Sequence, residues 1–209
     1  MTRSRCFSLC ACLALSLTAI ACGSSNSGGG GTATWDKVRM GDTGMDWLFS
    51  AVKGADYVFL DISYPNNAND PTMKADAIAF AQHVLGKYKA GAAPVSMVPT
   101  SGEVAGWTYN QDPTFSKSSN GPGVATDSTS AEFLIDGGAA AFFSGSYQAS
   151  GLAWENYING NYWLELQVWQ MKSAADASQV YGDLLTTSAL YSNATWTTCT
   201  GTDPANPCP

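Results

Sequence analysis

Three tryptophans and a glutamate within one short stretch are the residues of this chain best suited to chemistry. From Tyr162 to Met171 the residue types alternate. An extended strand there puts Trp163, Glu165, Gln167 and Trp169 on one face, and Tyr162, Leu164, Leu166 and Val168 on the other. Trp154 stands opposite, across a tight turn. Flat apolar rings with a carboxylate and an amide between them suit the stacking and hydrogen bonding of sugars. The same rings serve as core if both faces of the hairpin are covered. A second candidate contact is Asp136, followed by Gly137-Gly138 in a segment read as helical. Each glycine there costs about 1 kcal/mol relative to Ala. Either a ligand approaches the backbone, with Asp136 as its polar contact, or the helix packs closely on a neighbour.

Hydrolysis by paired carboxylates needs both in one cleft, and Glu103, Asp136, Glu155 and Glu165 are the candidates to converge. A two-residue loop at Asn159-Gly160 pairs Trp154 with Glu165 and Glu155 with Leu164, which sends the two glutamates to opposite faces. A three-residue loop would change the register and bring them together. Nucleophilic catalysis has less support: no Gly-x-Ser-x-Gly precedes a helix, and His83 is the only histidine. His83 lies off the apolar stripe of its helix, beside Asp76 and Lys87, as a solvated surface residue does. No catalytic residue, metal-ligand set or cofactor is expected.

Only 13% of the 209 residues are charged, against roughly 25% in an average soluble protein. Apolar residues reach 45%, with a formal charge of −7 and a pI near 4.4. That balance argues against intrinsic disorder and against a nucleic-acid partner.

The N-terminus reads as an export signal. Arg3 and Arg5 precede a mostly apolar stretch, Cys6 to Ile20, too short to span a bilayer. Ala19-Ile20-Ala21-Cys22 resembles the bacterial lipoprotein box, with Ala19 where Leu is usual, so residues 1–21 are read as a signal peptide and Cys22 as the lipidated residue. Gly23 to Thr34 is entirely small or polar and makes residues 22–34 the attachment point and a tether, with a reach of roughly 20 Å. Gly23 rather than Asp after the cysteine points to the outer membrane. Cys199 and Cys208 then remain as an even pair, most simply a disulfide in an oxidising compartment. With one histidine present, a zinc site built on them is not expected.

Residues 35–198 read as one α+β domain, with 199–209 as a C-terminal tail. Three helices are punctuated. Asp70 caps and Pro71 opens the first, with Met73, Ala77, Phe80, Val84 and Tyr88 on one face as far as Gly91. Thr129 and Glu132 have capping-box spacing ahead of Phe133-Leu134-Ile135, and Ser173 and Asp176 do the same for the third helix. Two hairpins precede helices, one turning at Lys53-Gly54-Ala55 and one at Asn159-Gly160. Gly54 leads to Ala75-Asp76-Ala77 as Gly160 leads to Ala175-Asp176-Ala177, which suggests an internal repeat. The expected architecture is an antiparallel sheet from two hairpin-plus-helix repeats, 35–91 and 129–198, with the helices packed on one face. Residues 92–128 form a long loop between them, either embellished or a seam.

The run Glu132-Phe133-Leu134-Ile135-Asp136-Gly137-Gly138-Ala139, then Leu166-Gln167-Val168-Trp169-Gln170-Met171 and Ala175-Asp176-Ala177, resembles the bacterial family called domain of unknown function 6599. Pro99 to Trp107 is similar to that family's opening. Ala140 stands where the family usually has Glu, and Met40 to Tyr88 resembles the family's second half but comes first here. The resemblance implies a fold and an exported address and no reaction. The expectation is a lipid-anchored envelope lipoprotein with membrane contact through the anchor. It would act as a non-catalytic binding module for a glycan or an envelope protein. The alternative is a carbohydrate-binding or carbohydrate-active protein using an exposed tryptophan face.

Overall fold

The computed structural model describes residues 35–63, 71–112, 117, 121–135, 137–183 and 194–199. All of them lie in one compact unit, Thr32–Pro209. Cys22, Asp70, Asp136 and Cys208 lie outside the described residues. The class is α+β, as expected: eight strands form one antiparallel sheet in the order β4-β6-β7-β3-β2-β1-β8, with β5 also pairing with β6. The strands are β1 Lys37–Asp42, β2 Asp46–Lys53, β3 Asp56–Ser63, β4 Thr108–Tyr109, β5 Gly123–Ala125, β6 Ala149–Asn159, β7 Tyr162–Met171 and β8 Thr195–Thr198. The helices are α1 Pro71–Gly86, α2 Ser128–Ile135, α3 Ala139–Phe143 and α4 Ala174–Asp183. No helix among the described residues is long and apolar enough to cross a membrane.

Both expected hairpins form. β2 and β3 turn at Gly54-Ala55, with Gly54 at φ +55°, and β6 and β7 turn at Gly160-Asn161, with Gly160 at φ +60°. The second turn thus falls one residue later than expected, because Gly160 takes its first position. Trp154 now opposes Gln167 rather than Glu165, and Glu155 opposes Leu166. The shift is two positions per pair, so no side chain changes face. β3 then pairs antiparallel with β7 and fuses the two hairpins into one sheet.

The helices are not on one face, contrary to expectation. Val58, Leu60 and Ile62 of β3 and Leu164, Leu166 and Val168 of β7 pack with Ala77, Phe80, Ala81, Val84 and Leu85 of α1. Tyr57, Phe59, Trp169 and Met171, from the same two strands but of opposite parity, pack with residues of α2, α3 and α4. Antiparallel pairing of β3 with β7 relates the hairpins by a twofold perpendicular to the sheet, which preserves faces. A true repeat would therefore put α1 and α4 on the same side. The likeness of the two halves ends at the hairpins.

Local punctuation also differs in detail. Asp127, not Thr129, caps α2: its carboxylate accepts from the Ser130 N–H (2.9 Å) and Oγ (2.9 Å), bonds that hold it below its ordinary pKa. Glu132 instead accepts from the Ala139 N–H at 2.8 Å, tying α2 to α3. Gly137 (φ +136°) and Gly138 (φ +82°) lie between those helices rather than inside one, and a Cβ at Gly138 would meet nothing within 4 Å. Positive φ, not close packing, accounts for them. At α4 the expected cap is present, since Ser173 Oγ accepts from Asp176 N–H (3.2 Å) and donates to its carboxylate (2.6 Å). Residues 92–128 are not a seam: their strands β4 and β5 extend the sheet beside β6. Cys199, assigned to the tail, is buried, and its N–H donates to Val38 O at 3.0 Å.

Candidate functional site

The tryptophan face forms as a strand face but not as an exposed platform. Trp154 and Trp169 are 2% and 0% exposed. Trp169 stacks on Phe142, with centroids 4.0 Å apart and planes 15° from parallel. The polar groups between the rings are used in a chain of contacts. Glu165 Oε1 accepts from Trp154 Nε1 (3.0 Å) and from Gln167 Nε2 (2.7 Å), while Gln167 Oε1 accepts from Trp169 Nε1 (2.9 Å). Each indole N–H thus has the partner that burial demands. Trp163, nearest the turn, is only half-buried, yet its Nε1 is enclosed without a hydrogen-bond partner.

Cross-strand register adds residues that the sequence alone did not point to. Glu165 lies directly opposite Asp61 of β3 on one side and Asn156 of β6 on the other. Asn110 completes the row: its N–H donates to Asn156 O (2.9 Å) and its Nδ2 to Asn156 Oδ1 (2.8 Å). Asn110, Asn156, Glu165 and Asp61 therefore run side by side across four neighbouring segments. Asn156 is 0% exposed, and its Nδ2 has no partner. Asp61 and Glu165 are half-buried, and direct opposition on neighbouring strands brings their Cβ atoms to within about 5 Å. The signal in the sequence was the polar interruption at Asp61 in an otherwise apolar strand. Its meaning required the pairing of β3 with β7.

The other carboxylates stand apart. Glu155 is 0% exposed on the α1 face, and burial pushes its pKa up to about 7, opposed by the Asn156 N–H bonded to its Oε1 at 2.9 Å. Its Oε2 has no partner. Glu103 belongs to a surface clamp: Lys87 Nζ reaches its two oxygens at 2.8 and 2.9 Å, the Thr100 N–H donates at 2.7 Å, and His83 Nε2 lies 2.8 Å away. The Lys87 bond leads in pulling the Glu103 pKa down to about 2. His83 is thus tied to this clamp rather than solvated alone. Glu103, Glu155 and Glu165 do not converge.

Two other features compete for attention. Arg39 is 2% exposed, stacked 3.9 Å over the Tyr181 ring and 4.7 Å from Trp196, and donates to the Tyr181 carbonyl. Burial lowers its pKa, yet aromatic rings enclose it. An open depression beside α2 is lined by Ser128, Thr129, Glu132, Phe133 and Ala140, with Phe133 64% exposed and Lys117 Nζ 5.8 Å from its ring centroid. Cys199 is disulfide-bonded, and its partner is outside the described residues. No family model matches the chain, and neither does any curated protein or solved structure.

Proposed function

We propose that this chain is an exported, lipid-anchored lipoprotein of the bacterial cell envelope, sorted to the outer membrane, whose domain is a non-catalytic binding module. The observation that carries the exported address is the disulfide at Cys199, a bond that persists in oxidising compartments. The lipoprotein box at Ala19 to Cys22 and the glycine-rich tether are consistent with it, because the first core residue, Trp35, follows the tether at once. The likeness to the domain of unknown function 6599 family belongs to the same reading. A binding role rather than hydrolysis is favoured because Glu103, Glu155 and Glu165 each answer to different partners. Fractionation after metabolic labelling with a radioactive fatty acid tests the anchor. Wild type is expected to carry label in the membrane fraction and a Cys22→Ser chain to lose both label and membrane association; a Cys22→Ser chain that stayed membrane-bound would refute lipidation there.

A further inference from the structure

The two ends of the sheet differ in charge, and the chain enters the domain at the basic one. The start of β1, the β2–β3 turn and the end of β7 meet there, since the Asp36 N–H donates to Val52 O (2.9 Å) and the Met171 N–H to Ala55 O (2.8 Å). The end of α1 reaches the same corner: the Tyr88 ring meets Trp35 edge to face at 5.5 Å, and a Cβ on Gly54 would touch the Tyr88 hydroxyl at 3.9 Å. This corner carries Lys37, Lys53, Lys89 and Lys172. Lys37, Lys89 and Lys172 are exposed and form no ion pair with a described residue. The three carboxylates among them are already engaged or enclosed. Asp36 accepts from Lys53 Nζ (3.2 Å) and the Gly54 N–H (2.8 Å), Asp176 accepts from Ser173 Oγ (2.6 Å), and Asp56 is 7% exposed. Exposed Ala90, Gly91, Ala174 and Ala175 beside the lysines leave room for a broad surface to approach the ammonium groups. At the opposite end, Asp42 and Asp46 flank the β1–β2 turn, and Lys74 is drawn over the Trp47 ring at 5.2 Å.

We propose that this corner of the domain, through Lys37, Lys53, Lys89 and Lys172, lies against the anionic phospholipid headgroups of the membrane that holds the anchor. The inference rests on the reading of Cys22 as the lipidated residue and adds which face the domain turns to the bilayer. Two observations point the same way. Residues 23–34 lead into Trp35, in the basic corner, so the tether delivers that corner first. A tether with a reach of roughly 20 Å still allows other faces to turn inward, which leaves the choice to charge. Headgroup attraction acts within about 8 Å at physiological salt, so it selects one end of the domain rather than acting on the whole. The same field repels the remainder of a chain whose formal charge is −7. Little intrinsic affinity is needed, because the anchor already holds the domain at high local concentration.

Amine acylation read by mass spectrometry, on the full lipidated chain inserted into vesicles through its anchor, tests it. One set of vesicles is phosphatidylcholine alone, and the other is phosphatidylcholine and phosphatidylglycerol in equal parts. On the anionic set Lys37, Lys89 and Lys172 are expected to react about fivefold more slowly, the worth of one lysine at an anionic surface, and Lys74 equally fast on both. Salt at about 0.5 M should erase the difference by screening. Lys89→Gln combined with Lys172→Gln, both at exposed positions, should return Lys37 to its neutral-vesicle rate with the urea midpoint retained. Equal rates on the two vesicles, protection that extends to Lys74, protection reproduced by sodium phosphate on neutral vesicles, or a double variant that still protects Lys37 would overturn the surface and leave the anchor standing. A chain that floats with neither set of vesicles would sink the anchored reading, and the oriented surface with it.

Discussion

The two sides of one row of the sheet treat the same strands in opposite ways. On the α1 side, near the second turn, Tyr157, Leu164 and Ile62 are buried against the helix and form a continuous core with Phe80 and Trp107. On the reverse side, the second core includes Leu48, Phe59, Trp154 and Trp169, while Asn110, Asn156, Glu165 and Asp61, level with Leu48 across the sheet, form a polar row. The comparison teaches that the polar row is not a thin spot in the fold. Its strands are held by α1 from behind, and on the reverse side Asn156 is fully buried while Asp61, Trp163 and Glu165 are half-buried.

Substitutions should break that contrast in a graded way. Phe80→Ala, which removes a fully buried ring in edge contact with Tyr157 (centroids 4.9 Å apart) and Trp107 (5.6 Å), is expected to cost about 4 kcal/mol in urea unfolding. Trp163→Phe, at a half-buried ring on the reverse side, should cost less than about 1 kcal/mol in the same assay.

Glu155 sharpens the comparison because it is a fully buried carboxylate on the α1 side of the same strands. Its pKa in the fold, about 7, is raised from 4.5. The stability linked to it is therefore fully present below the unfolded value and is lost as pH rises through about 7, by up to about 3 kcal/mol. Glu155→Gln should remove that loss, leaving the protein more stable than wild type at pH 8 and similar to it near pH 4, as urea midpoints at the two pH values will report. A variant no more stable at pH 8 would mean that the buried carboxyl is accommodated as an anion.

A smaller effect comes from the helix break. Gly138→Ala meets no atom within 4 Å but must hold φ near +82°, so a backbone penalty of about 1 kcal/mol is expected from thermal unfolding.

Much of this was legible in the sequence wherever the signal was local. Alternation in Tyr162 to Met171 marks a strand, Gly54 and Gly160 mark the turns of the two hairpins, and Ser173 with Asp176 marks the start of α4, because period and capping depend on neighbours in the chain. The side of the sheet each helix takes is not a local property. Ser173 and Pro71 start helices equally well above or below, and the one-face arrangement inferred from the repeat failed for that reason. The candidate site was half legible. Glu165 and Trp163 stood out by their spacing, whereas Asp61 and Asn156 gain meaning only through pairing with β7, one of them from a distant hairpin. Gly137 and Gly138 were visible as an oddity, but their positive φ could not be read from residue type.

The indole N–H resonances of the tryptophans offer the most direct measurement of the account. Trp154 and Trp169 donate internally to Glu165 and Gln167, while Trp163 Nε1 has no partner. In the full chain in detergent, the Trp154 and Trp169 indole protons should exchange slowly with deuterated solvent, as enclosed hydrogen-bonded donors of a core do. Exchange of both as fast as that of a free indole would contradict the placing of this face in the core.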